Sequence, residues 1–597
     1  MKYLEKIKIY TFYLTFLLVS FLILNYLWIL NNKDTSFSEF FFFMQGPHHF
    51  HMPYDLILND FSNIIYIFNQ PLLYSLQKYL EYKIKFYLFD TYVTGINETS
   101  IIVISFHLII GAYAFYGLHQ LALYLKIGKL IIIGSFFIIF SPSYYFLITF
   151  NAYDFITMAM ITIVTYRMIK FLKFQNLFNL FFFLLTLFII SNYRNFFHPF
   201  LFCIPILIGC FFFVTEKIKR YLLLSFICIF ISSLNVIKNF FFFDTLLIGI
   251  GPYAKARIYG SYEFQNKDLL IKLIDAKKIS PINICFSQET MVKYFYKNEE
   301  FNLKKCQFEI FEKYLRDDVE LFKQKHPELE KVEFLDTHTK SKLFPDGSEI
   351  NFFNISSGFI PNTLLGLVAA KKIIEDVDVY QNYARKNFFS GVKSSLVLFF
   401  RSGNSYMFNI AGNPFNYPEY FSSNLWNLDF LPKLAERKDL KVDTAPRKIV
   451  AIIILLSSLN TIFYILSVKQ LTSNLILLFL CAIILISKID NFKNIILIVF
   501  IFICCLYLFV LFKKTYEYVC CKLSNKNIVL ENRDIIFFIY SIYFYFIIAL
   551  VLTTPGEVER YRLVVDPLVA LFSIFYLKKI MITLKKLILN IKKYYLF

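Results

Sequence analysis

From Lys493 to Lys513 the chain reads KNIILIVFIFICCLYLFVLFK, and no charged residue interrupts residues 495–512. As a helix, that stretch measures about 27 Å, near the thickness of a bilayer's hydrocarbon core. An apolar run of this length, with lysine at each edge, predicts a membrane-spanning helix.

Working outward, similar runs recur. They fall at about 9–30, 101–125, 129–150, 152–173, 177–193, 198–215 and 220–240, and again at 449–467, 471–488, 535–553 and 561–580. Each approaches the 20 residues that a spanning helix needs. The sequence therefore predicts an all-α polytopic membrane protein of about twelve transmembrane helices. Composition agrees: of 597 residues, 57% are hydrophobic, 20% aromatic and only 18% charged. Soluble domains carry about 25% charge. The first run is too long for a signal-peptide core and is read as a retained helix.

The net charge of +19 is concentrated beside the apolar runs. With the N-terminus inside, the inner loops hold Lys126 and Lys129, then Arg167, Lys170 and Lys173, then Lys217, Lys219 and Arg220. Later they hold Lys513, Lys514, Lys522 and Lys526, and finally Lys578, Lys579, Lys585 and Lys586. Lys488 and Lys493 are a mild exception outside. This asymmetry predicts cytoplasmic N- and C-termini. It also argues against a nucleic-acid surface, because no binding module accompanies the charge.

Three parts follow: an N-terminal membrane domain (1–240) with a first outer loop (31–100), an extracytoplasmic domain (241–447), and a C-terminal membrane domain (448–597). The middle part, inserted between helices 7 and 8, is mixed in polarity and contains Trp426, so it is expected to fold and to be mostly helical. Residues 362–389 carry helical periodicity through Leu364, Leu365, Leu367, Val368, Ile373, Ile374 and Val377. Two of the ten cysteines, Cys285 and Cys306, fall in this part and could form a disulfide. No pair has zinc-ligand spacing, and no metal ligand is assigned.

Ionisable groups near a membrane boundary are costly and tend to mark function. The first outer loop contains His48, His49, His51, Asp55 and Asp60. Either aspartate could be a general base or, more plainly, a loop acid or helix cap. Asp154 stands at the outer start of a run, where the helix dipole alone favours an acid. Arg194, followed by His198, lies between two runs and could grip a phosphate or serve as an interfacial anchor. Lys238 ends the seventh helix. Glu557, Glu559, Arg560 and Arg562 alternate in sign before the last helix, which carries Asp566. No phosphate-cradling glycine loop and no nucleophile elbow is present.

The chain resembles the integral-membrane glycosyltransferases of the GT-C class, mannosyltransferase-like, in their poorly characterised bacterial-type branch. The likeness rests on Asp55 in the first outer loop, Ser141-Pro142 through Tyr153-Asp154, Lys238-Asn239 before an aromatic segment, and Glu557 to Pro567. It covers most of the membrane part. Relatives often carry adjacent acids in the first outer loop, whereas here Asp55 and Asp60 stand apart.

The resemblance implies an inverting transfer of a sugar from a polyprenyl- or dolichyl-phosphate donor to a glycan, lipid or protein acceptor. Asp55 would be the base, with Asp154 as second acid and Asp60 as the other loop carboxylate. Arg194, His198, Lys238, Glu559, Arg560 and Arg562 would serve the lipid-phosphate donor. Divalent-metal use varies in the class and stays open. A bacterial inner membrane is favoured over the endoplasmic reticulum. Two other readings are a polysaccharide polymerase or O-antigen-ligase-like protein, acting through Arg385 and Arg401, and a secondary transporter.

Overall fold

The computed structural model describes residues 2–31, 60–68, 71–89, 96–139, 153–194, 197–214, 218–250, 266–283, 308–330, 363–384, 444–486, 489–524, 529–553 and 563–595. It also describes Tyr144, Ile148, Ala254, Val332, Leu335 and Leu396 individually. Among these residues there is no strand.

The N-terminal part contains α1 (Lys2–Asn31), a 3-10 turn (Phe61–Tyr66), α2 (Leu72–Phe89), α3 (Ile96–Tyr124), α4 (Gly128–Ile139), α5 (Tyr153–Phe174) and α6 (Leu177–Tyr193). A π-helical turn (Pro199–Cys203) then enters α7 (Ile204–Phe211), followed by α8 (Ile218–Phe243). The middle part contributes α9 (Lys267–Asp275), α10 (Phe308–Lys325) and α11 (Leu364–Tyr383). The C-terminal part has α12 (Thr444–Ile465), α13 (Gln470–Ile486), α14 (Ile489–Leu523), α15 (Asn532–Thr553) and, after a 3-10 turn (Leu563–Val565), α16 (Asp566–Tyr595).

Each apolar run read from the sequence coincides with a helix where it is described; residues 140–143, 145–147 and 149–150 of the 129–150 run lie outside the described residues. Among the described residues, six segments are long and apolar enough to cross a membrane: Leu4–Ile23, Ile102–Tyr124, Asp154–Phe174, Ile218–Phe243, Asn494–Leu523 and Asn532–Ala549. The chain is a multi-pass, all-α membrane protein.

Burial ranks these segments. Asp154–Phe174 is 89% buried, against 17% for Leu4–Ile23 and 28% for Asn494–Leu523. Helix α5 is thus the axis of the bundle and packs against α3, α6, α15, α16 and the Leu563–Val565 turn. Lipid is as apolar as leucine, so close backbone approach has to supply the attraction. Glycines make it available between α3 and α5: a Cβ on Gly111 would stand 2.8 Å from Phe155 Cζ, and one on Gly117 would stand 3.2 Å from Tyr166 Cβ. Buried Thr162 and Thr165 spend their hydroxyls on the carbonyls one turn back, at 3.2 and 2.7 Å, which satisfies them without a neighbouring helix.

A second apolar core lies at the Asp154 end of the bundle. It joins Ile64, Ile67 and Phe68 from the segment between α1 and α2, Phe243 and Ile250, and the inner faces of α9, α10 and α11. Thr363 caps α11 by accepting from Gly366 N at 3.0 Å, so the predicted 362–389 periodicity appears as helix Leu364–Tyr383. Buried Asp376 on α11 accepts from Ser280 N (2.9 Å) and Asn283 Nδ2 (2.5 Å). Burial raises its carboxyl above the usual range, and those two bonds pull it only part of the way back.

The two cores are stitched together where α8 ends. Lys238 Nζ donates to Ile67 O, and Ile250 N donates to Phe68 O at 3.2 Å. Asn239 Nδ2 donates to Leu247 O and Ile248 O at 2.8 and 2.9 Å. Just beyond, Asp244 Oδ2 accepts from Lys325 Nζ (2.5 Å) and contacts His326 Nε2 (3.1 Å). Burial pushes the Asp244 carboxyl up, but Lys325, His326 and the charge of Lys371 outweigh it and hold it below the usual range.

At the opposite end the basic side chains gather. Lys6 lies within electrostatic range of Lys170, as does Arg167, and Arg533 and Lys578 lie within range of Lys579. Lys578 Nζ donates to Lys126 O, and Lys522 Nζ to Val214 O.

Candidate functional site

Asp154 and Arg194 come together. Asp154 occupies the first turn of α5, and Arg194 is the C-cap of α6. Because α5 and α6 form a tight antiparallel pair, the start of one meets the end of the other. Arg194 Nη2 lies 3.3 Å from Asp154 Oδ1, with side chains only 5% and 1% exposed. A carboxylate at a helix N-terminus already gains from the dipole, and the guanidinium supplies the counter-charge that burial demands.

The pair belongs to a larger polar cluster. The Tyr193 hydroxyl donates to Gln77 Oε1 at 2.5 Å, and Gln77 Nε2 donates to Glu81 Oε1 at 2.6 Å. Tyr74 meets the Tyr193 ring edge-on, with centroids 5.8 Å apart. Glu81 is 5% exposed, and Tyr193 lies within electrostatic range of Glu81, Arg194 and Asp154 together. On the other flank, buried His107 from α3 has Nδ1 2.7 Å from Ile148 O, and its ring lies 4.9 Å from Phe155. Four helices (α2, α3, α5 and α6) thus place two acids, an arginine, two tyrosines and a histidine around one end of the bundle.

Tyr74, Gln77, Glu81, Tyr193 and His107 were not singled out from the sequence. Helix α2 mixes Lys78, Glu81, Lys83 and Lys85 into an aromatic segment, so its hydropathy reads as interfacial loop. The available signal was spacing: positions 74, 77 and 81 follow the i, i+3, i+7 pattern that lines one helical face.

The other sequence candidates fall elsewhere. Asp60 caps the Phe61–Tyr66 turn, accepting from Ser62 N at 2.9 Å. The Ser62 hydroxyl and backbone bonds hold this exposed carboxyl below its usual range. His198 stands at the head of the π-helical turn, with Nε2 3.2 Å from Leu246 O. Lys238 is half-buried and donates to Ile67 O, at the seam between the two cores. Asp55, Glu559, Arg560, Arg562, Arg385, Arg401, Cys285 and Cys306 lie outside the described residues. Among the described residues no three His, Cys, Asp or Glu side chains converge as a metal site.

No family model, curated protein or solved structure matches this chain. Its functional reading therefore rests on the residues themselves. Chemically, the cluster offers a carboxylate paired with a guanidinium, a second buried acid, and a planar fork of N–H donors suited to oxyanions.

Proposed function

We propose that the chain is a membrane glycosyltransferase that moves a sugar from a polyprenyl- or dolichyl-phosphate donor to an extracytoplasmic glycan, lipid or protein acceptor. Its twelve helices would cross a bacterial inner membrane with both termini in the cytoplasm. The 241–447 domain would then lie outside, above the Asp154 end. The observation that carries this reading is the buried Asp154–Arg194 pair, set beneath the seam between bundle and outer layer.

In the reaction, the acceptor hydroxyl gives its proton to a carboxylate, the role assigned to Asp55, while its oxygen attacks the sugar's anomeric carbon. The bond from that carbon to the phosphate oxygen breaks, and its electron pair leaves with the lipid phosphate. Arg194 meets the developing charge, with His198, Lys238, Arg560 and Arg562 at the donor's approach and Glu559 beside them. Asp154 fixes the plane of the guanidinium. The Glu81–Gln77–Tyr193 chain holds α6 in register against α2.

Binding of polyprenyl phosphate and of polyprenol to the purified protein in detergent tests this. The phosphate should bind far more tightly than the alcohol. Arg194→Lys, which keeps the charge but loses the fork, should weaken phosphate binding about tenfold. Asp154→Asn should retain more of that binding than it retains of transfer. Equal affinity for phosphate and alcohol sinks the reading.

A further inference from the structure

At the end of the bundle away from Asp154, three cations on one face of α5 are held by aromatic rings. The Arg167 guanidinium lies over Phe182 at 4.7 Å, Tyr113 at 5.3 Å and Tyr166 at 5.7 Å from the centroids. Lys170 lies over Tyr166 at 5.8 Å, and Lys173 over Tyr124 at 3.9 Å. Lys6 of α1 adds a fourth positive charge within range of Lys170. The hydroxyls belong to the same assembly: Tyr113 and Tyr116 both lie within electrostatic range of Arg167.

Among the described residues no carboxylate pairs with Arg167, Lys170 or Lys173, whereas Lys514 at the same end pairs with Asp534 at 3.0 Å. Arg167 Nε is buried without an acceptor. Ring faces orient a guanidinium but do not cancel its charge. Arg167 also sits about 10 Å below the end of α5, seven residues before Phe174. An anion reaching it must come along the helix flank, and that flank is apolar: Leu123, Phe174, Phe178 and Phe181 are exposed there. A phosphate carried on acyl chains fits both conditions, and a free phosphate fits only the first.

We propose that Arg167, Lys170 and Lys173, with Lys6 and the tyrosines around them, form a binding site for the phosphate headgroup of an anionic lipid in the leaflet opposite the Asp154 end. The site is separate from the donor site proposed above and does not depend on it. The rings hold Arg167 flat, so its N–H edge is presented to the headgroup, and the lysines close on the remaining phosphate oxygens. The exposed phenylalanines lie along the acyl chains.

The test uses full-length protein in phosphatidylcholine nanodiscs doped with phosphatidylglycerol, with retained lipid counted by native mass spectrometry. The wild type should keep phosphatidylglycerol in preference to phosphatidylcholine, and added inorganic phosphate should not displace it. Arg167→Gln with Lys170→Gln should lower that retention roughly thirtyfold, two juxtamembrane charges at about fivefold each. Lys513→Gln, an exposed cation at the same end, should leave it unchanged. Should the Arg167 variant fail to elute as folded protein, Lys170→Gln with Lys173→Gln carries the same expectation. An equal loss in Lys513→Gln reduces the effect to net charge and overturns the site. Displacement by inorganic phosphate overturns the lipid assignment.

Discussion

The Asp154 end and the Arg167 end of α5 lie about 20 Å apart along one helix, and they treat charge differently. At the first, a carboxylate and a guanidinium neutralise each other at 3.3 Å, almost out of contact with solvent. At the second, the cations face rings, and no acid pairs with them among the described residues. An ion pair whose charges offset each other can sit deep. A cation cluster held by rings stays half-buried, because its charge must still be met from outside the protein. The contrast separates a cation held in place by a carboxylate from cations held in place by rings.

Removing one member of the closed pair is the severest way to break this contrast. Arg194→Ala leaves Asp154 buried without its counter-ion and should cost about 3–5 kcal/mol, read as a lower unfolding midpoint in detergent. Adding Asp154→Asn should recover part of the loss. Simple additivity of the two variants would mean that the pair is not a unit.

A sharper comparison uses an acid-centred cluster at the basic end. Asp534 accepts from Lys514 at 3.0 Å, from Tyr518 at 2.8 Å and from Glu531 N at 3.0 Å. It resembles the Asp154 pair more than its Arg167 neighbours. Asp534→Ala should therefore destabilise by about 2–3 kcal/mol, independent of lipid charge. Sensitivity to added anionic lipid would move this cluster into the other class.

The smallest effect concerns pH. Asp244 has a folded value below its unfolded one, so its contribution is fully present above the ordinary aspartate value. It is lost as pH falls through the folded value. Because Asp244 is a third exposed, the loss should stay under about 1 kcal/mol. A wild-type melting curve that falls more steeply below pH 4 than that of Asp244→Asn would show it. Identical acid limbs would remove Asp244 from the account.

Much of the bundle was legible because spanning helices announce themselves by length and missing charge. Asp154 and Arg194 were legible for the same reason, standing as ionisable residues at the edges of apolar runs. Their pairing was not, since it depends on how α5 folds back onto α6. Glu81 and Gln77 were hidden because α2 reads as polar loop until its tyrosine face is packed. His107 was hidden because a histidine inside an apolar run has no periodic signature. Asp60 carried two readings in the sequence, a catalytic loop carboxylate and a cap, and it stands as the cap of the Phe61–Tyr66 turn.

Lys238 and Ile67, joined at the seam, are 171 residues apart in the chain. A ribosome adding about 5–20 residues each second needs roughly 10–30 s to cover that distance. Throughout that interval Ile64, Ile67 and Phe68 have no core to enter, although α1 and α3 can already be in the membrane. The second apolar core is therefore assembled late and from both directions, and its apolar strip waits uncovered. During biogenesis that waiting strip is where a chaperone would have most to do.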